Sequence, residues 1–273
     1  MIAKLREEPV EAVLLAPSQR GEQQLRDLRR RLSEVPADVW LCPGGSALNL
    51  LGAGVSHFAG VPALNVMERP ISRWRSAVKE IEDRILAAGI VLMISPLLIG
   101  IAIAIKFDSP GPLLFKQKRR GYNNRTIEVL KFRTMAVDKT DDNGDRLTER
   151  NDPRVTKVGA FLRRWSLDEL PQFLNVLRGD MSIVGPRPHA LGAKAGGQLY
   201  FDAVPYYDAR HRVKPGITGL AQISGWRGPT ETVTQIRKRV EYDVYYIEHW
   251  SLWLDLKIIF LTAFKGFKSE NAF

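Results

Sequence analysis

A single cysteine, Cys42, means that neither an intrachain disulfide nor a multi-thiolate zinc or iron–sulfur site can form. The four histidines, His57, His189, His211 and His249, have no short ligand spacing. No G-x-S-x-G elbow is present, which removes the usual serine-hydrolase signature. Gly44-Gly45 and Gly52-x-Gly54 lack the strand–GxGxxG–helix context of a dinucleotide site, and Asp141 to Asp145 do not continue as an EF-hand loop. Acidic residues are also in short supply. Asp plus Glu number 30 against 40 Lys plus Arg, a net charge of +10 over 273 residues. That excess favours phosphate-rich partners: nucleotides, nucleic acid or an anionic membrane face. No helix-turn-helix, KH loop or RRM aromatic pattern supports nucleic acid.

What is present is one long apolar run. Ile85 to Ile105 holds 21 residues without a charge, about 31 Å as a helix and close to the hydrocarbon thickness of a bilayer. Ser95-Pro96 stands at its centre. Proline withholds a backbone donor and crowds the preceding turn, so a bend is expected there. Both flanks are basic: Arg73, Arg75, Lys79 and Arg84 before, Lys106, Lys116, Lys118, Arg119 and Arg120 after. A crossing helix would set one of them against the positive-inside rule. A helix that enters, bends at Pro96 and returns to the same face avoids that conflict, and Ser95 can serve a carbonyl freed at the break.

Residues 1–70 read as a separate soluble piece. Strands are expected at residues 11–16, 39–41 and 63–66, with a helix over 21–32, as in part of an open α/β sheet. Residues 71–84 form a basic amphipathic linker helix. Residues 106–273 form the main body: strand-like 113–115 and 127–130 around a turn at 121–124, a polar loop over 138–152, and helices over 158–165 and 230–246. The closing stretch, residues 250–267, mixes Trp, Leu and Phe with lysines and suits a membrane interface.

The sharpest chemical signal is Ser166-Leu167-Asp168-Glu169-Leu170-Pro171-Gln172. Ser166 and Glu169 fit the S-x-x-E capping box, and Leu170, Phe173, Leu174 and Leu177 follow at helical spacing. In a helix's first turn, ionised carboxylates are favoured. Such a pair can supply a nucleophile or bind a divalent metal, and it is equally the pattern of an ordinary capped helix start. Three basic clusters favour chemistry. Residues 115–133 carry seven Lys or Arg against one acid; Gly185-Pro186-Arg187-Pro188-His189 restrains an arginine between prolines; Arg210 to Lys214 adds a third. Guanidinium groups suit a diphosphate.

Ordered motifs link these features. They are Phe115-Lys116-Gln117-Lys118-Arg119-Arg120-Gly121, Lys131-Phe132-Arg133-Thr134-Met135, Asn151-Asp152-Pro153-Arg154, Ser166 to Gln172, Asn175-Val176-Leu177-Arg178-Gly179-Asp180, Gly185-Pro186-Arg187-Pro188, Lys214-Pro215-Gly216-Ile217-Thr218-Gly219, Glu241-Tyr242-Asp243 and Leu254-Asp255-Leu256-Lys257. Over residues 75–268 the chain resembles the bacterial sugar transferases that start lipid-linked glycan synthesis. These are the monotopic phosphoglycosyl transferases, also called undecaprenyl-phosphate hexose-1-phosphate transferases.

The resemblance implies an α/β, monotopic, membrane-associated catalytic domain with a re-entrant membrane helix (residues 85–105, broken at Ser95 and Pro96) and interfacial amphipathic helices. It implies that residues 1–70 are a partial Rossmann-like domain, the end of the nucleotide-binding-like region of large members. Those members carry four transmembrane helices further upstream, so the chain resembles a short or truncated form. The implied reaction moves a sugar 1-phosphate from a UDP-sugar to undecaprenyl phosphate and releases UMP, in a ping-pong course through a phosphosugar ester. Asp168 corresponds to the nucleophile and Glu169 to the residue that helps hold Mg²⁺. Arg187 corresponds to a donor-phosphate ligand, and Lys131 and Arg133 to the Lys-Phe-Arg element near the site. The implied location is the cytoplasmic face of the bacterial inner membrane, with no nucleic-acid partner and self-association left open. The competing reading is a non-catalytic membrane scaffold for glycan-assembly proteins.

Overall fold

The computed structural model describes residues 10–15, 32, 35–42, 56–58, 61–67, 69–136, 152–228, 230 and 232–266. The helix expected over 21–32 and the polar loop expected over 138–152 fall outside these residues, Leu32 and Asp152 excepted. So do the glycine pairs at 44–45 and 52–54.

Near the N-terminus a four-stranded sheet has the order β1-β2-β4-β3, formed by β1 (Ala12–Leu15), β2 (Asp38–Leu41), β3 (Ser56–Phe58) and β4 (Val61–Met67). β1 and β2 are parallel, as a β-α-β reading requires, whereas β4 runs antiparallel to both β2 and β3. Val39 and Ala63 are buried in this sheet. The chain leaves it at Arg69, whose amide donates to Asp38 Oδ1 at 2.7 Å.

The linker and the apolar run are a single helix, α1 (Arg73–Asp108), 36 residues long, with backbone that stays helical through Pro96. The residue that loses its partner to a proline is the one four positions back, here Leu92. Ser95 Oγ donates to the Leu92 carbonyl at 2.8 Å and fills that role. Among the described residues α1 is the one helix long and apolar enough to cross a membrane, its most apolar 18-residue stretch having a mean hydropathy of 2.6.

Yet both ends of the apolar run pack on one globular body. Ala87, with Leu86 and Ile90 beside it, belongs to a core containing Val176, Met181 and Ile258. Ile101 and Ile105 pack with Phe132 and Leu162. The remaining face, including Ile85, Leu92, Met93, Ile99, Ile103 and Phe107, is exposed.

The body begins with a hairpin of β5 (Leu114–Arg120) and β6 (Thr126–Phe132), longer than the sequence pattern suggests. Asn123 and Asn124 take the positive φ values its turn needs, a conformation asparagine tolerates. α2 (Lys157–Arg164) is capped by Thr156, whose hydroxyl accepts from the Gly159 amide at 3.0 Å. Gly159 is obligatory, because a Cβ there would lie 2.1 Å from the Thr134 carbonyl oxygen. α3 (Gln172–Arg178) ends at Gly179, with φ 89°. Asn175, fully buried in α3, accepts from the Leu130 amide at 2.9 Å and donates to the Glu128 carbonyl at 2.7 Å. It thereby fixes α3 against β6.

β7 (Ser182–Val184) pairs in parallel with a strand at Gly216–Thr218. Two-residue strands β8 (Lys194–Ala195) and β9 (Gln198–Leu199) lie between them, so the Gly216–Thr218 strand is β10. The short helices α4 (Tyr200–Ala203) and α5 (Leu220–Ile223) precede α6 (Val233–Glu248) and α7 (Leu252–Gly266).

A buried polar knot joins α1, β7 and α7. Asp83 accepts from Ser182 Oγ at 2.6 Å and from the Ile183 amide at 2.9 Å. Asp255, wholly buried, accepts from Lys79 Nζ (2.7 Å), Tyr246 Oη (2.7 Å) and Trp250 Nε1 (2.9 Å). Both of these buried carboxylates are thus met by donors, as desolvation demands.

This knot corrects the expected interfacial role of Trp250. It precedes α7, is 4% exposed and spends its indole N–H on Asp255, whereas Trp253 and Phe260 are 76% and 61% exposed. Replacing Trp253 and Phe260 together by Gln should lower partition onto lipid vesicles with little change in melting temperature. Trp250→Ala should instead destabilise the fold by about 3–5 kcal/mol, as measured by denaturant unfolding in detergent.

Candidate active site

The acidic pair sits in a 3-10 turn, Leu167–Glu169, ahead of α3 and not in its first turn. The expected capping box is absent. Ser166 has φ 54° and ψ 24°, left-handed and unlike the extended N-cap geometry, and its side chain makes no cap bond. Its hydroxyl accepts from Arg227 Nη2 at 2.8 Å. The Glu169 carboxylate turns away from Ser166 and meets two cations. Lys131 Nζ donates to Oε1 at 2.9 Å, and Arg187 donates from Nη2 to Oε1 at 2.5 Å and from Nη1 to Oε2 at 3.0 Å. A complete capping box does exist elsewhere, at Thr232 and Gln235 on α6.

The two carboxylates are therefore unequal. Glu169 has both oxygens engaged. Asp168 has neither a hydrogen bond nor an ion pair among the described residues. Burial pushes Glu169 up, but Arg187 and Lys131 outweigh it and hold the group well below the usual carboxylate range. Burial raises Asp168 above that range, opposed by Lys131 and reinforced by the negative Glu169. The pair thus splits, with Glu169 the first to ionise.

A ring of guanidinium groups surrounds them. Arg163 donates from Nε to Thr134 Oγ1 at 2.8 Å, and its charge holds Asp168 down. Arg119 is lowered to about 10 by burial and by the neighbouring Arg187. Arg187 is raised above its ordinary value by Glu169. So much positive charge around one ionised carboxylate suits a ligand bearing several negative charges.

Of the residues singled out from sequence, Asp168, Glu169, Lys131 and Arg187 converge here. Arg133 does not. It is 3% exposed, and its guanidinium donates to the Pro110 carbonyl, to the Ser109 carbonyl at 2.7 Å and to Ser109 Oγ at 3.1 Å. It fastens the turn that follows α1. Ser95 and Pro96 lie within α1. Arg163 and Arg227 were passed over by sequence reasoning. Arg163 had a signal, five residues before Asp168 and one helix away; Arg227, 61 residues beyond Ser166, had none.

Among the described residues no group of three or more His, Cys, Asp or Glu side chains converges as a metal cage. Two adjacent carboxylates still fit Mg²⁺, which commonly takes one or two protein carboxylates and completes its shell with water and substrate phosphates. The donors that would hold it are the uncommitted oxygens of Asp168 and the one lone pair left on Glu169 Oε2, since Oε1 already accepts from both Lys131 and Arg187.

A family profile described as bacterial sugar transferase matches residues 74–269. The UDP-glucose:undecaprenyl-phosphate glucose-1-phosphate transferase of Escherichia coli is 48% identical over 250 residues, covering 92% of this chain and 53% of the relative. The protein of the same name from Caulobacter vibrioides is 43% identical over 252 residues, 92% of this chain and 87% of the relative. An Aeromonas hydrophila UDP-N-acetylgalactosamine-undecaprenyl-phosphate N-acetylgalactosaminephosphotransferase is 42% identical over 179 residues, 65% of this chain and 41% of the relative. The chain spans about half the length of several of the curated relatives it matches.

The position of Arg133 makes a direct test. Arg133→Met should cost roughly 1–3 kcal/mol of stability, because two carbonyls lose a charged donor. UMP affinity, measured by calorimetry at a temperature where the variant is folded, should match that of the wild type.

Proposed function

The chain belongs to the bacterial sugar transferase family, and on that premise we propose that it transfers a sugar 1-phosphate from a UDP-sugar to undecaprenyl phosphate and releases UMP. The observation that carries this reading is the asymmetry of the acidic pair. Asp168 is uncommitted beside a carboxylate already held by Lys131 and Arg187. In the proposed first step an Asp168 carboxylate oxygen attacks the phosphorus that bears the sugar. The new O–P bond forms as the P–O bond to UMP breaks, and UMP leaves with the electron pair. In the second step a phosphate oxygen of the lipid attacks the same phosphorus, and Asp168 leaves as a carboxylate.

Lys131, Arg187, Arg163 and Arg119 supply fixed positive charge where negative charge builds on the phosphoryl oxygens. Arg187 is suited to the donor's diphosphate because its planar fork can bind two oxygens. Glu169, with Asp168, is the candidate ligand for Mg²⁺, which would neutralise diphosphate charge and polarise the phosphorus. The scaffold reading leaves this concentration of half-buried cations around an unpaired aspartate without a purpose. Relatives named for UDP-glucose match nearly the whole chain, which points to glucose as the hexose; one named for N-acetylgalactosamine shows why a UDP-sugar panel is the proper assay.

The proposed setting is the cytoplasmic face of the bacterial inner membrane, with α1 as a re-entrant anchor. Its support is that Ala87 and Ile105, at the two ends of the apolar run, are both buried in the same body. A helix crossing a bilayer would carry them to opposite faces. Single cysteines at positions 69 and 116 in a Cys42→Ser background should label from the same side of sealed vesicles. Labelling from opposite sides would overturn the anchor.

For the chemistry, the full chain with Mg²⁺ and a UDP-sugar, without lipid acceptor, should release about one UMP per protein and retain a phosphosugar adduct that peptide mapping places on Asp168. Asp168→Asn should abolish the adduct and cut turnover roughly a thousandfold or more; full activity would sink the mechanism. Because the anion is the reactive form, the rate should fall as pH drops through the raised Asp168 pKa, above the ordinary aspartate range. Arg163→Gln removes a charge that lowers this pKa, so its acid limb should move to higher pH.

A further inference from the structure

The Pro186-Arg187-Pro188 segment has an unusual holding problem. Proline has no amide N–H, so two of its three residues offer the rest of the protein only carbonyls to grip. Each of the three carbonyls is gripped from a different element. The Gly216 amide of β10 donates to the Pro186 carbonyl at 3.0 Å. Arg210 Nη2 donates to the Arg187 carbonyl at 2.6 Å, and Arg119 Nη1 donates to the Pro188 carbonyl.

The central grip is the most heavily built. Arg210 is 1% exposed and lies in a 3-10 segment, Tyr207–Arg212. Its Nη2 lies 2.7 Å from Asp243 Oδ2, and its Nε donates to the same oxygen at 3.1 Å. Nη1 donates to Tyr207 Oη at 3.2 Å and meets the His189 ring. Asp243, on α6, is equally buried. A fully buried ion pair contributes little stability over well-packed apolar residues of the same volume. What it provides is a rigid cation of fixed direction, aimed here at the main chain of Arg187, whose side chain forks onto both oxygens of Glu169.

We infer that the Arg210–Asp243 pair is the positioning device for Arg187, setting the reach of that guanidinium toward Glu169 and the phosphates of the donor. This rests on the donor-binding role proposed for Arg187. Neither Arg210 nor Asp243 touches the acidic pair; both act through the Arg187 backbone. The inference gives a function to Asp243 of the Glu-Tyr-Asp motif, which lies far in sequence from the site it serves.

The test is a double-mutant cycle on donor binding, with the full chain in lipid nanodiscs, read by calorimetric affinity for UMP and by KM and kcat with UDP-glucose. Arg210→Lys keeps the charge but loses the fork. Alone, it should weaken UMP binding and raise KM about tenfold or more, with a smaller change in kcat. In an Arg187→Ala background the same change should cost less than about twofold, because the side chain being aimed is gone. Equal losses in both backgrounds would mean a general structural role and overturn the inference.

Asp243→Asn, which keeps the shape but removes the anion, is read in the same way. If both single variants fail to fold, the pair is a stability element and the inference is wrong. The donor reading fails separately: wild type would then neither bind UMP nor turn over any member of a UDP-sugar panel. An Arg187→Ala protein that binds UMP as tightly as wild type would remove Arg187 from the site and the inference with it.

Discussion

Glu169 shares its two oxygens between a lysine from a hairpin strand and an arginine from a proline-bound loop, and the rest of the site is arranged around that clamp. A carboxylate held by two half-buried cations cannot move without leaving poorly solvated charge uncompensated. It therefore fixes β6, the 3-10 turn and the Pro186-Arg187-Pro188 segment relative to one another. Asn175 braces the same junction from behind by pairing with both backbone groups it meets on β6. Asp168, next in the chain, inherits this rigidity without taking part in the clamp. The nucleophilic role proposed for it needs that combination of fixed position and free electron pairs.

Much of this site was legible in sequence. Asp168-Glu169, Lys131 and Arg187 each stand in a contiguous motif, and contiguity is what a one-dimensional reading detects. The errors came where local spacing was taken for geometry. Ser166 and Glu169 have the interval of a capping box, but the left-handed backbone at Ser166 forbids it; Thr232 and Gln235, with the same interval and extended backbone, form one. Arg133, two residues from Lys131, was placed beside it, yet it follows the last residue of β6 and turns to the carbonyls at 109 and 110. Arg227 reaches the site only through tertiary structure. Trp250 was assigned to the membrane by composition, and only the buried Asp255 shows why an indole donor is needed there.

The fold divides in the same way. The strands at residues 12–15, 38–41 and 61–67 and the helix pairs of the body follow from patterning. The continuity of α1 did not, because the linker and the apolar run differ so sharply in composition that they read as two elements. Their junction is secured by Lys79 and Asp83, charged residues that would ordinarily mark a solvent face. Here they are inward-pointing ties to α7 and β7, and β7 runs directly into Gly185 and the Pro186-Arg187-Pro188 segment. The element that meets lipid and the loop proposed to meet the donor are therefore connected by a few residues of buried backbone.

The hydroxyl of Ser95 has a consequence for the bilayer itself. On an aqueous surface, the carbonyl deprived of its partner by Pro96 would simply recruit a water molecule. In hydrocarbon no such solvent is at hand, and the acceptor would have to draw moisture and headgroups inward, locally thinning the leaflet. By carrying the substitute donor one residue before the defect, the chain satisfies that acceptor from within. The proline can then stand at the middle of an apolar helix without disturbing the lipid around it.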